Sequence, residues 1–206
     1  MTVAEESEFI GLEMNGALMT LEEFDAAENW DEDYRYELVN GVLIVSPPPS
    51  EQERGPNEHL SFVLRTYAKG HPQGYNFCYT LSEQTIYTLP TRRRADRAVW
   101  VGLGRLPNMR RDVPTIAVEF VSRGKRNRIR DYKAKRSEYA KVGIGEYWII
   151  DCFRRHMTVI RNSAGQQTEI IVTESESYTT PLLPGFQLSV AEVLAEADML
   201  QDAQDE

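Results

Sequence analysis

Short apolar runs and one helical pattern alternate in the middle of the chain, and their order limits the folds that are open to it. Residues 97–101 and 115–121 are apolar runs bounded by polar loops, which is typical of strands buried on both faces. Residues 127–142 have helical spacing and are followed by Gly143, a common helix terminator. Another apolar run covers residues 146–151. This order of two strands, a helix and a further strand predicts an α/β domain.

The flanking regions add elements to this core. Asn40-Gly41 lies between two strand-like runs and predicts an N-terminal hairpin. Thr20 has the pattern of a capping box that opens a short helix, and residues 52–69 have helical spacing. Strand-like runs near residues 156–161 and 169–173 predict antiparallel C-terminal strands.

Length and composition point to a single folded domain. The chain has 206 residues, no internal repeat and no long linker. We expect one domain over residues 19–197, a flexible segment over 1–18 and a flexible acidic tail over 198–206. No apolar run approaches 18 residues, so no membrane span is expected. The two cysteines have no paired spacing, which favours free thiols in a reducing cytoplasm.

Charge is strongly segregated along the sequence. Residues 92–136 hold fifteen Lys/Arg and four Asp/Glu, in a chain whose net charge is −9. The net acidity argues against indiscriminate coating of nucleic acid, but the basic centre is consistent with one positive face. A solvated charged surface without a ligand is the alternative interpretation.

Two acids of this basic region lie in or beside apolar strands. Asp96 directly precedes one strand, and Glu119 lies within the next. Neighbouring strands would bring both carboxylates to one edge of the sheet. Together with a main-chain carbonyl, that of Phe120, and waters, they would satisfy Mg²⁺, which prefers hard oxygen ligands. The alternative for Glu119 is a salt bridge to a nearby arginine, since a buried unpaired carboxylate is costly.

A lysine and a further glutamate are candidates for the same site. Lys135 falls on one stripe of its helix with Tyr139, on the side that faces the sheet. A buried lysine needs a carboxylate partner, and beside a reacting phosphate it can orient water and offset charge. The alternative is a lysine whose stem packs on the core. Glu37, in the first strand, is either another site acid or a structural salt-bridge residue.

Basic side chains close to these acids are candidates for binding phosphates. Such contacts recognise the nucleic-acid backbone and carry little sequence information. The candidates precede Asp96 or connect the Glu119 strand to the Lys135 helix, and they are Arg92, Arg93, Arg94, Arg123, Lys125, Arg126 and Arg128.

An ordered set of short motifs resembles the Uma-type restriction endonuclease family, part of the PD-(D/E)XK nuclease superfamily. No single motif is specific, but their order and spacing match over about residues 20–195. The set comprises Tyr36-Glu37-Leu38-Val39-Asn40-Gly41, Ser46-Pro47-Pro48-Pro49-Ser50, Asp96, Val118-Glu119-Phe120-Val121-Ser122, Arg130-Asp131-Tyr132-Lys133-Ala134-Lys135, Tyr139, Gly143 and Glu146-Tyr147-Trp148-Ile149-Ile150-Asp151.

The resemblance implies a restriction-endonuclease-like core, in which helices flank a mixed central β-sheet and a divalent metal binds at one edge. Asp96 and Glu119 match the superfamily acids, Lys135 the family's helical lysine and Glu37 its early glutamate. This chain departs from the superfamily pattern twice. Ala95 replaces the proline before the aspartate, and Val121 replaces the lysine two residues after the second acid. The resemblance therefore implies that Lys135 takes the catalytic role of the missing lysine.

The leading functional hypothesis is a Mg²⁺-dependent DNA endonuclease, with Mn²⁺ as a substitute cation. Asp96 and Glu119 would bind metal, Glu37 would assist and Lys135 would orient the attacking water. A homodimer is plausible because cutting a duplex requires two active sites. One alternative is a non-catalytic module that binds nucleic acid or protein on a nuclease fold. A structural oligomer without a nucleic-acid role is another.

Overall fold

The computed structural model describes residues 9–122, 124, 128–163 and 165–205, with side chains as far as Gln201. These residues form two compact units. The N-terminal unit comprises Met1–Pro48 and Tyr87–Arg94, and the main unit comprises Pro49–Ile86 and Ala95–Glu206.

The N-terminal unit is built on the predicted hairpin. Strands β1 (Arg35–Val39) and β2 (Val42–Ser46) pair antiparallel. Asn40 and Gly41 form the turn with φ of 51° and 79°, which is the left-handed geometry of a two-residue turn of type I′. Leu38 of β1 also pairs with Arg92, the first residue of the long strand that continues into the main unit.

Helix α1 (Leu21–Ala26) packs beside this hairpin. Thr20 and Glu23 cap it reciprocally, which confirms the capping box. Tyr36 of β1 donates a hydrogen bond to the Ile10 carbonyl at 2.8 Å, which ties the start of the described chain to the unit.

The main unit contains a sheet in the order β4-β5-β6-β7-β8, with β3 beside β4. Strands β5 and β6 run parallel, whereas β4–β5, β6–β7 and β7–β8 are antiparallel, so the sheet is mixed. This confirms the expected fold class. The strands are β3 (Phe77–Tyr87), β4 (Arg92–Val101), β5 (Ile116–Phe120), β6 (Glu146–Asp151), β7 (His156–Ser163) and β8 (Gln166–Thr173).

Helices cover this sheet. Helix α3 connects the parallel strands β5 and β6, and its first part is a π-helical turn rather than regular α-helix. The helices are α2 (Glu51–Gly70), α3 (Arg130–Lys135, then Arg136–Lys141) and α4 (Val190–Asp205). A two-stranded sheet, β9 (Ser177–Tyr178) and β10 (Leu188–Ser189), precedes α4, and short 3₁₀ helices cover Leu12–Met14 and Gly74–Asn76.

The sheet buries two different faces because side chains alternate along each strand. On β5, Val118 and Phe120 join the cluster formed with α2 and α4. Ala117 and Val121 join the opposite cluster, formed with α3. Glu119 lies between Ala117 and Val121 in this alternation, so its side chain belongs to the α3 face.

Helices α2 and α4 contact each other closely at one glycine. A Cβ atom on Gly55 would lie 2.3 Å from Leu200 Cδ1, so a larger residue there requires Leu200 to move. No helix in the described ranges is both long and apolar enough to cross a membrane.

Candidate active site

The two predicted acids lie on neighbouring antiparallel strands. Pairing of β4 with β5 ends at Arg97 and Val118, so Asp96 and Glu119 are the next residues on either strand. The Phe120 amide donates a hydrogen bond to Asp96 Oδ2 at 2.7 Å, which fixes the Asp96 carboxylate beside the end of β5. Both acids are buried, with 6% and 1% of their surfaces exposed.

Helix α3 brings a lysine and a tyrosine to Glu119. Lys135 Nζ lies 2.8 Å from Glu119 Oε2, and the Tyr139 hydroxyl donates to Glu119 Oε1 at 3.1 Å. Lys135 is 2% exposed, whereas Lys133 on the same helix is exposed to solvent. The structure therefore places Lys135 on the sheet-facing side and next to a carboxylate, which is the geometry that its stripe indicated.

The electrostatic balance at Glu119 is unfavourable to a lone negative charge. Burial is the largest influence and raises the pKa of Glu119 well above its usual value of 4.5. Lys135 lowers this pKa, but the charges of Asp96 and Asp131 raise it again. A proton or a further cation near Glu119 would therefore stabilise the site.

Asp131 is a neighbour of the site that the sequence reasoning did not assign. It lies on the π-helical turn four residues before Lys135, and its side chain is completely buried. The available signal was this four-residue spacing, which puts two side chains on one side of a helix. In the sequence, Asp131 stands out only as a member of the motif Arg130-Asp131-Tyr132-Lys133-Ala134-Lys135.

Helix α2 supports the strand that carries Asp96. The Asn57 side chain donates to the Asp96 carbonyl at 2.9 Å and accepts from Arg97 Nε at 2.6 Å. Arg97 is 2% exposed, and burial lowers its pKa to about 10. This buried network fixes the backbone of β4 at Asp96, and no sequence pattern indicates it.

Glu37 lies in the N-terminal unit and is held by two consecutive arginines. Its Oε1 accepts from the Arg94 amide at 2.8 Å, and its Oε2 lies 3.6 Å from Arg93 Nη1. These contacts fit the structural alternative for Glu37. Its catalytic role stays a prediction.

The arginines that precede Asp96 are largely engaged within the protein. Arg92 donates to both oxygens of Asp25 at 2.8 and 2.6 Å, and Arg93 is 4% exposed beside Glu37. Their geometry adds no support to the expected binding of phosphates. Arg94 is half-buried.

Arg128 is the one proposed phosphate-binding residue of the β5–α3 connection that the structure describes. It is partly exposed, lies 3.6 Å from Asp151 Oδ2 and stacks over Phe153 at 5.7 Å. The other three, Arg123, Lys125 and Arg126, lie outside the described residues.

A cavity of about 370 Å³ borders the end of β5 and the first turn of α2. Phe120, Val121, Ser122, Glu53 and Phe153 are among the residues that line it. The Ser122 hydroxyl is hydrogen-bonded to Glu53 and links the end of β5 to the first turn of α2. The cavity therefore begins at the residues that directly follow Glu119 along the chain.

The donor atoms at the site are compatible with a divalent cation. Carboxylate oxygens of Asp96 and Glu119 and the Phe120 carbonyl are hard ligands of the kind that Mg²⁺ prefers. Within the described residues, no group of three or more His, Cys, Asp or Glu side chains is arranged to hold a metal ion. A cation here would have two acids, a main-chain oxygen and waters, a set that Mg²⁺ accepts.

Comparison with known proteins gives a match over most of the chain. A family model described as "Uma2: Putative restriction endonuclease" matches residues 21–191. Among solved structures, the chain is similar to a "putative nuclease belonging to DUF820 from Anabaena variabilis ATCC 29413". The TM-score is 0.68 at 16% identity, over 87% of this chain and 99% of that one. No curated protein matches the chain.

Proposed function

The chain belongs to the family described as "Uma2: Putative restriction endonuclease", and on this premise we propose that it is a metal-dependent endonuclease that hydrolyses phosphodiester bonds in DNA. The observation that supports this most is the buried contact between Lys135 and Glu119, beside Asp96 on the next strand. Buried acids and an amine that converge at one sheet edge are the groups that phosphodiester hydrolysis requires.

In this proposal Asp96, Glu119 and the Phe120 carbonyl hold Mg²⁺ or Mn²⁺. When bound there, such a cation would lower the pKa of a coordinated water and stabilise negative charge on the phosphate. The Phe120 amide and the Tyr139 hydroxyl orient the two carboxylates, since each donates a hydrogen bond to one of them.

Lys135 supplies a positive charge from the protein itself. Its ammonium group has three protons to donate and lies 2.8 Å from Glu119 Oε2. The Lys135 side chain is buried against the sheet. It orients the attacking water and offsets charge on the phosphate as the bond to the leaving oxygen breaks. Because Val121, directly after β5, replaces the superfamily lysine, this role has no other candidate at that position.

The remaining parts of the proposal concern substrate and setting. Glu37 assists the acids, and Arg128 with its basic neighbours in the connection to α3 binds phosphates. A homodimer supplies the two centres that duplex cleavage requires. The cytoplasm fits a chain with two cysteines that are both free thiols.

The test is cleavage of supercoiled plasmid by the purified full chain with Mg²⁺ or Mn²⁺. We expect nicking or cutting by the wild type and a loss of at least about 100-fold in Asp96→Ala, Glu119→Gln and Lys135→Met. Lys133→Met is the matched control, because Lys133 lies on the same helix but is exposed. It should cleave at the wild-type rate.

Two outcomes would count against this function. Cleavage that persists in all three site variants would place the activity elsewhere or in a contaminant. Cleavage of RNA alone would keep the centre but change the substrate.

The non-catalytic binding module remains the second candidate, and one observation favours it. The described residues contain no group of three or more His, Cys, Asp or Glu side chains arranged to hold a metal ion. Salt-dependent DNA binding without cleavage in either cation would select this alternative.

A further inference from the structure

One carboxylate oxygen in the main unit is buried without a hydrogen-bond partner. Asp131 Oδ1 accepts from Arg130 Nε at 2.9 Å. Asp131 Oδ2 accepts no hydrogen bond from any residue that the structure describes, although the side chain has no exposed surface. Burying an unsatisfied carboxylate oxygen is costly, so an exception of this kind calls for a functional explanation.

Asp131 belongs to the same cluster as the candidate active site. It shares the π-helical turn with Lys135. The Tyr147 hydroxyl donates to the Asp131 carbonyl at 3.1 Å, and the Tyr147 ring packs edge-on against Tyr139, which contacts Glu119. The charge of Asp131 also raises the pKa of Glu119.

The formal charges of this cluster do not cancel. Asp96, Glu119 and Asp131 carry three negative charges when ionised, whereas Lys135 and Arg130 carry two positive charges. The Arg130 side chain reaches partly into solvent, with 24% of its surface exposed, and screens one oxygen of Asp131 only. Asp131 Oδ2 is the atom of this cluster that a bound cation would stabilise.

We propose that Asp131 is a third acid of the candidate metal centre and that its Oδ2 accepts a hydrogen bond from a water bound to the divalent cation. This inference rests on the proposed function. Contact through a water agrees with the geometry, because no three acids of the described chain are arranged to hold an ion directly. Mg²⁺ and its substitutes keep several waters, and carboxylates that receive those waters set the affinity.

The competing interpretation is that Asp131 only anchors Arg130 and the π-helical turn. The two roles differ in what Asp131→Asn changes. Asparagine keeps one oxygen for Arg130 and places an amide group, which cannot accept, where Oδ2 stands. An anchoring role therefore predicts unchanged affinity for cation, whereas the proposed role predicts a loss.

The experiment is a calorimetric titration of the full chain with Mn²⁺ in the absence of nucleic acid. We expect Asp131→Asn to raise the Kd for Mn²⁺ by about 10-fold or more. Asp151→Asn is the matched control, because Asp151 is also completely buried but accepts from the Phe153 and Arg154 amides. It should bind Mn²⁺ with wild-type affinity even where its thermal stability falls.

Arg130→Gln gives an independent test that does not need the Asp131 variant to fold. Removing the positive charge of Arg130 should strengthen Mn²⁺ binding under the proposed role, whereas an anchoring role predicts weaker or unchanged binding. Equal affinity in wild type and Asp131→Asn, or weaker or unchanged binding in Arg130→Gln, overturns the role of Asp131 alone. A wild type that binds no Mn²⁺ overturns the metal-dependent function as well.

Discussion

Lys135 and Glu119 stabilise each other in a place where neither charge is stable alone. Losing one partner of a buried ion pair usually costs about 3–5 kcal/mol when the other stays charged. Glu119 has a way to avoid this cost, because its pKa is already raised and it can take up a proton. The pair is therefore sensitive to pH as well as to substitution.

We expect Lys135→Met to lower the free energy of unfolding by about 1–3 kcal/mol at pH 8 and by less at pH 5. The folded-state pKa of Glu119 lies above its usual value of 4.5, so its contribution is full below that pH and is lost as pH rises through the folded-state pKa. Removing Lys135 raises the pKa of Glu119 further, so the free energy of unfolding falls more steeply as pH rises. Urea unfolding at both pH values measures this free energy, with Lys133→Met as control. Equal losses at pH 5 and 8 would contradict the prediction.

Tyr139→Phe isolates the second donor to Glu119. The ring keeps its edge-on contact with Tyr147, at 5.0 Å between centroids, while the bond to Glu119 Oε1 is lost. A hydrogen bond to a charged group contributes about 1.5–3 kcal/mol, so we expect a loss of stability toward the lower end of that range. Thermal unfolding of the variant measures it. A variant as stable as wild type would mean that Glu119 is protonated or rearranged.

The site residues were only partly predictable from the sequence. Asp96, Glu119 and Lys135 could be brought together because strand alternation and helical periodicity fix the directions of their side chains. Asn57 could not be found, because its two hydrogen bonds join residues about forty positions apart. Asp131 was within reach of a four-residue spacing argument but was not singled out.

Helix α3 combines a π-helical turn with a regular α-helix, and Asp131 and Lys135 both lie on the π-helical part. Its hydrogen bonds span one residue more per turn than those of an α-helix, and such turns recur at functional sites. The sequence predicted a helix here but not its irregular start. The π-helical start depends on how the side chains of α3 pack against the sheet, and this packing is a property of the folded structure.

Deleting Ala134 should convert this turn into regular α-helix. Lys135 and Tyr139 would keep their places, whereas Asp131 would rotate by about 100° around the helix axis. We expect weaker Mn²⁺ binding, similar to that of Asp131→Asn, with unchanged helix content by circular dichroism. Wild-type affinity after the deletion would show that the π-helical turn is dispensable.

The connection between β4 and β5 is closed by a surface ion pair. Asp112 bonds to Arg105 and to the Asn108 amide, and these contacts lower the pKa of Asp112 to about 2, with the Arg105 contact the larger influence. Its contribution to stability is therefore full above about pH 3.8 and is lost as pH falls through 2. We expect Asp112→Asn to flatten the fall in melting temperature between pH 4 and 2. An unchanged pH profile would contradict this assignment.

Strand β3 shows how local irregularity misleads sequence reasoning. The residues near 76–80 and 84–89 have the composition of two short strands, whereas the structure has one strand from Phe77 to Tyr87. Glu83 within it has φ of 52°, a left-handed conformation that interrupts the alternation of side chains. The hairpin at Asn40-Gly41 was predictable because the turn itself is encoded by two adjacent residues.

At the scale of the whole molecule, the excess of basic residues in the centre is smaller than the sequence implies. Several arginines of the described part of this region pair with acids far away in the sequence, so part of their positive charge is offset locally. These pairs include Arg92 with Asp25, Arg93 with Glu37 and Arg136 with Glu169. The sequence could not reveal these partners, because separations such as 67 residues leave no periodic signal.

DNA binding should therefore be local and depend on few phosphate contacts. In chelator, we expect affinity for duplex DNA to fall with salt and Arg128→Gln to reduce the slope of log K against log salt by about 1. Arg110→Gln is the control, because exposed Arg110 lies in the β4–β5 connection, beyond the opposite end of β5 from Phe120. Fluorescence anisotropy measures both. Equal slopes in the two variants would remove Arg128 from the DNA-binding surface.

The tight crossing of α2 and α4 at Gly55 offers a way to tune the protein from a distance. A methyl group at residue 55 would press on the flexible end of Leu200. Residue 55 lies two residues before Asn57, whose side chain donates a hydrogen bond to the Asp96 carbonyl. Leu200 can rotate away from alanine more easily than from valine. A series of replacements at this position would thus yield graded, conditional alleles, which a geneticist could use where removal of an acid would act as a simple knockout.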